Sequence, residues 1–106
     1  SPRVLVMLHL DGSANRLPDV GAELTAGGRG IGQVGSSVHD CDYGPIALAL
    51  VKRNVVEKVA SKNSDVPPLL ADGIDASIDP SDLAHAAGDN SIRPGRAAIN
   101  RLRGKN

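Results

Sequence analysis

His39 and Cys41 stand two residues apart, so on an extended strand their side chains share one face, and His9 from another strand could bring a third soft donor. Such a trio is the donor set of a zinc-type site. Zinc sites, however, repeat tight spacings of the C-x-x-C kind, and Cys41 is the only cysteine in the chain. A nucleophile–base pair fails on other grounds, because His39 and Cys41 have no third group in the pattern to orient the base. A polar strand end accounts for both residues, and neither a metal nor a catalytic residue is expected. The glycines between Gly28 and Gly35 raise the question of a phosphate loop. No G-x-x-x-x-G-K-[ST] occurs, and such a loop needs a following helix whose N–H groups face the anion. Turns and close backbone approach explain these glycines instead. The other polar groups of the stretch are Arg29, Ser36, Ser37, His39 and Tyr43.

These side chains need strands to hold them. From Gly30 to Arg53 the chain reads GIGQVGSSVHDCDYGPIALALVKR, two extended runs divided by Gly44-Pro45. Gly32 and Gly35 inside the first run trade packing for clearance, a sign of a barrel or sandwich. In the second run Ile46, Leu48 and Leu50 fall on one side and Ala47, Ala49 and Val51 on the other, so both faces ask for cover. Ala and Leu also favour helix, but Gly44-Pro45 and Asn54 leave barely two turns. Val4, Val6, Leu8 and Leu10 alternate with Leu5, Met7 and His9 in a first strand whose start is expected to be buried on both sides. A short strand about Val20 to Thr25 is joined by the Gly27–Gly30 turn to a long one over Ile31 to Asp40. Asp72-Gly73 between Leu69-Leu70-Ala71 and Ile74, Ala76, Ile78 signals a type I′ hairpin. Asp79 could cap a short helix with Pro80 at its first position, over Pro80 to Ala86. Asn54 to Ala60 fits a further strand through its valines without settling on it, and Ala98, Ile99 and Leu102 repeat at helical spacing in a docked helix or ordered tail.

The order G-x-G-x-V-x-S-S, a polar stretch ending at Gly44, and I-A-L-A-L-V-K-R resembles the C-terminal barrel of the glycine-cleavage aminomethyltransferase (T-protein) superfamily. The opening LHLDG, Leu8 to Gly12, and the ending GRAAINRLRG, Gly95 to Gly104, resemble its folate-binding YgfZ type, linked to iron–sulfur protein maintenance. The likeness is good over Arg3 to Asn54 and looser over Leu69 to Gly104. It implies a non-catalytic barrel that helps to frame a tetrahydrofolate site, with Arg29, Ser36, Ser37, His39 and Tyr43 as weak candidates for the shared interface or the pteridine-glutamate entrance. It implies a partner too, the missing N-terminal folate-binding domain of the same chain. The Lys-Gly-Cys-Tyr-type signature of the YgfZ proteins belongs to that upstream domain, so Cys41 is not assigned to it. The alternatives are the C-terminal domain of an aminomethyltransferase proper and a ligand-free interaction module.

Composition sets bounds on all of this. With 106 residues the chain fits one domain. Its core must be built of Val, Leu, Ile and Ala, since there is no Phe or Trp and a single Tyr, which predicts modest stability. Twelve basic and twelve acidic residues cancel, so bulk charge steers no polyanion here. The distribution is uneven: six Asp and no Lys or Arg between Ser64 and Ile92, then Arg93, Arg96, Arg101, Arg103 and Lys105 with no acid after Asp89. That tail is expected to dock on the Asp-rich half or on the missing domain, and not to serve as a nucleic-acid arm, for which it lacks stacking aromatics. One cysteine suits a reducing compartment, and no run is apolar enough to span a bilayer. A cytoplasmic protein without nucleic-acid or membrane partners is therefore expected. The start at Ser1, close before a strand, reads as a fragment cut from a longer protein. The expected fold is all-β: one antiparallel β-barrel of about six strands with short helical segments near its C-terminus, burying Val34, Val38, Leu48 and Leu50.

Overall fold

The chain was analysed as a computed structural model, which describes residues 2–62 and 65–88. Six strands form: β1 (Arg3–Leu10), β2 (Glu23–Ala26), β3 (Arg29–Asp40), β4 (Gly44–Lys52), β5 (Leu69–Ala71) and β6 (Ile74–Ile78). Two α-helices accompany them among the described residues, α1 (Arg53–Ala60) and α2 (Pro80–Ala86), with a short 3-10 turn at Gly12–Ala14. The strands pair antiparallel in the order β1-β4-β3-β2-β5-β6 and close into a barrel where β1 meets β6. The barrel and the late helix Pro80–Ala86 are those the sequence leads one to expect. The tail from Arg93 to Lys105, with Ala98, Ile99 and Leu102, lies outside the described residues.

Turn chemistry sets the hairpins. Gly27 and Gly28 both take positive φ between β2 and β3, as a tight primed turn requires, and Asp72 and Gly73 do so between β5 and β6. Gly32 lies against β4 so closely that a Cβ there would strike the carbonyl oxygen of Leu50. The clearance that its place in a strand suggested is therefore real. Between Val34 and Ser36 the β3–β4 register shifts by one residue, and Gly35 occupies the bulge.

Even-numbered β1 residues and odd-numbered β4 residues line the interior, where Val6, Leu8, Ala47, Ala49 and Val51 meet Leu24, Val34, Ile74 and Ile78. The alanines leave room that aliphatic side chains from the opposite wall fill, so the barrel closes without a phenylalanine or tryptophan. The segment over Asn54 to Ala60, compatible with a strand, is instead most of α1: Val55, Val56 and Val59 also fit helical spacing, and Val56 is buried in the core. A second, smaller cluster forms on the outer wall from Met7, Ile46 and Leu48, flanked by Val38 and Tyr43.

Two burial expectations need correction. Leu50, expected in the core, is 47% exposed, and Leu5, at the start of β1, is 40% exposed. They are register partners on the outer wall, beyond the reach of the cluster that covers Met7 and Leu48. Of the four residues named for the core, Val34 and Leu48 are buried and Val38 is half-buried.

Candidate functional site

The richest polar geometry lies at the seam between β1 and β6. These strands pair only over Leu8–Ile78, His9–Ser77 and Leu10–Ala76, because Pro80 turns the chain out of the sheet into α2. Met7 would then face the gap with an unpaired N–H and C=O. The start of α2 supplies both partners: the Asp82 carboxylate accepts from the Met7 N–H at 2.8 Å, and the Asp79 N–H donates to the Met7 carbonyl at 2.8 Å. Asp82, itself buried, is thus held by a backbone donor.

Asp79 also carries the side-chain chemistry. One oxygen lies 2.6 Å from His9 Nε2, and the other accepts from the Ser81 N–H at 3.0 Å and from the Ser81 hydroxyl. Its side chain is 4% exposed and that of His9 28%. Burial pushes the Asp79 carboxyl upward, but the hydrogen bonds from Ser81 and His9 outweigh it and hold the group below the ordinary carboxylate value. The His9 ring meets the Tyr43 ring at 6.0 Å, tilted by 58°. A carboxylate that orients an imidazole is half of a hydrolytic triad. The Asp79–His9 pair ties β1 to the start of α2.

The five candidate residues fall along β3 and the turn after it. Arg29 starts β3, while His39 stands ten residues further on, about 33 Å along an extended strand. Arg29 lines a cleft of about 390 Å³ with Ile31, Val55, Lys58 and Pro67. Ser36 and Ser37 point to opposite faces of β3, and the Ser37 hydroxyl donates to the Pro18 carbonyl at 3.1 Å. His39 is exposed beside Pro45. Tyr43 is half-buried in the β3–β4 turn, its N–H on the Asp40 carboxylate at 3.0 Å. The five do not converge. Only Tyr43 joins the seam, through His9.

Asp40, Cys41 and Asp42 bring one ligand atom each within 4.8 Å of one another. The Asp40 carboxylate is already engaged by the N–H groups of Asp42 and Tyr43, as the first residue of a polar turn should be. Sequence reasoning found Asp79 as a helix cap, which it is, and met His9 only as a distant metal donor. It missed Asp82. The pattern D-P-S-D was the available signal: an acid three residues beyond an N-cap often folds back on the cap, and here Asp82 reaches β1 instead.

Fold and seam together define a small, closed, six-stranded antiparallel barrel with a helix-capped seam. Compared with protein-family profiles, with curated proteins and with solved structures, the chain matches none.

Proposed function

We propose that this barrel is the non-catalytic C-terminal part of a tetrahydrofolate-binding, aminomethyltransferase-like protein of the YgfZ type, serving iron–sulfur protein maintenance in the cytoplasm. Its partner is the N-terminal folate-binding domain of the same chain. The reading rests on the motif order over Arg3 to Asn54. The observation that carries it is the cleft of about 390 Å³ at Arg29. Arg29 and Lys58 stand there without ion-pair partners among the described residues, beside Ile31, Val55, Val66 and Pro67. Two cations against the single carboxylate of Asp65, over a largely apolar wall, suit the carboxylates and aliphatic stem of a folate tail, and one wall is less than a folate pocket needs. Ser36, Ser37, His39 and Tyr43 would then contribute to the interface between domains.

Calorimetry with tetrahydrofolate tests this. The 106-residue chain alone should bind weakly or not at all, and the chain joined to its upstream domain should bind and lose affinity on Arg29→Ala. Micromolar binding to the chain alone would overturn the partial-wall reading, and an unchanged affinity in Arg29→Ala would remove Arg29 from the site. Aminomethyl transfer is the alternative version, and glycine-cleavage turnover by the joined protein would select it.

A further inference from the structure

We propose that the outer edge of β1, from Arg3 to Leu5, docks an extended peptide segment of a partner protein, acidic toward its C-terminal end, which adds to the barrel as a short antiparallel strand. The barrel is closed, but the seam that closes it is short. On its β4 side β1 is paired from Arg3 to His9, but on its β6 side only from Leu8 to Leu10. Alternate residues of a strand turn their backbone groups to the same side. The His9–Ser77 pairing and the Asp11 N–H on the Asp75 carbonyl show that odd-numbered residues face β6. Met7 is next and is satisfied by α2. Leu5 and Arg3 follow, and among the described residues their N–H and C=O groups find no partner on that side. An unpaired strand edge is a template for another strand.

Room and chemistry lie alongside it. A cleft of about 260 Å³ opens between Val4–Val6, Val56 of α1 and Ala86 of α2, with Arg53 on its rim. Arg3 and Lys52 are register partners and Arg53 follows at once, so three cations gather at this end of the edge. None has an ion-pair partner among the described residues. Glu57 and Asp82 also line the cleft, Asp82 already bound to Met7, so the excess positive charge sits at the Arg3 end. The exposed Leu5–Leu50 pair supplies an apolar step beside the edge.

These features choose the occupant. A backbone N–H and C=O on one residue ask for a complementary acceptor and donor at peptide spacing, which a phosphate chain or lipid headgroup does not offer. A strand antiparallel to β1 carries its C-terminal end toward Arg3, so its acids belong there and its apolar residues deeper in the cleft.

The test is an NMR titration of the 106-residue chain with the blocked peptide Val-Thr-Val-Glu-Val-Glu. Saturable shifts of the Arg3 and Leu5 amides are expected, at least about tenfold weaker when Lys replaces the two Glu, since like charges across an interface are strongly disfavoured. N-methylation of alternate peptide amides, which leaves the protein untouched, should abolish them, and Arg3→Glu with Arg53→Glu should reverse the preference for charge. No shift at Leu5 with millimolar peptide overturns the proposal. So does equal binding of the lysine peptide, tighter binding of an RNA oligonucleotide to the same amides, or shifts that grow with protein concentration alone and mark a second copy as the occupant.

Discussion

Asp79 sits where β6 stops and α2 starts, and its two carboxylate oxygens serve different neighbours: one holds His9 of β1, the other the N–H of Ser81 in the first turn of α2. Losing a capping carboxylate costs about 0.5–2 kcal/mol, so Asp79→Ala should lower the urea-unfolding free energy by about that much at neutral pH. The pH dependence has a definite sign. Asp79 is held below the ordinary carboxylate value by Ser81 and His9, against the upward push of burial. The charged form therefore stabilises the fold at pH above the unfolded value, about 3.9, and the contribution fades as pH falls through the lower folded value. The gap in stability between the wild-type chain and Asp79→Asn should be fully present at pH 6 and shrink at pH 3. A gap that widens in acid would contradict this assignment. Asp82 is a different case, since its oxygen is the partner of a buried backbone donor. Asp82→Ala orphans the Met7 N–H and should cost about 1–3 kcal/mol. Asp82→Asn keeps an acceptor and should cost less, an order that equilibrium denaturation of the two variants checks directly.

Among the elements, β4 shows how one strand can be core along most of its length and surface at its end. Leu48 is packed with Met7 and Ile46 on the outer wall, whereas Leu50 on the same face is open to solvent. Leu48→Ala should therefore cost about 2–5 kcal/mol, and Leu50→Ala should stay within about 0.5 kcal/mol; equal losses in urea unfolding would mean that Leu50 is covered in solution. Gly32→Ala drives a methyl group into the Leu50 carbonyl, a backbone atom that cannot rotate away. It should destabilise by at least about 1–3 kcal/mol, the range for overpacking. The contrast between Leu48 and Leu50 also marks how far the sequence could be read. Turns were legible because Gly27-Gly28 and Asp72-Gly73 meet a steric demand that is local. Parity gave the two faces of β4 but not which part of a face would be covered, because cover comes from elements elsewhere in the chain. The helix α1 was obscured by its valines, whose branching favours strand until burial of Val56 decides for helix. The seam was hidden for the same reason at longer range: His9 and Asp79 are 70 residues apart, and only closure of the barrel brings them together.

Closure is the property of the molecule as a whole that these pieces control. The β3–β4 pair is joined over eight register positions and β1–β6 over three, the seam being extended by the two hydrogen bonds of Met7 to Asp79 and Asp82, the His9–Asp79 contact and the Asp11 N–H on the Asp75 carbonyl. The seam joins residues near opposite ends of the described chain, so its loop-closure entropy must be met before its contacts form, which argues for folding in milliseconds to seconds. It also argues that the native barrel opens there first, since local openings cost less than global unfolding where few buried contacts are broken. Native-state hydrogen exchange should therefore find the His9 and Asp11 amides exchanging at least about tenfold faster than the most protected amides of β3 and β4, a factor of ten corresponding to about 1.4 kcal/mol. Asp82→Ala should accelerate the seam amides further while leaving β3 and β4 changed only by its effect on global stability. Identical exchange free energies at His9, Asp11, Val34 and Ala49 would show instead that the barrel opens as one unit, with the helix-capped seam as firmly closed as the rest of the wall.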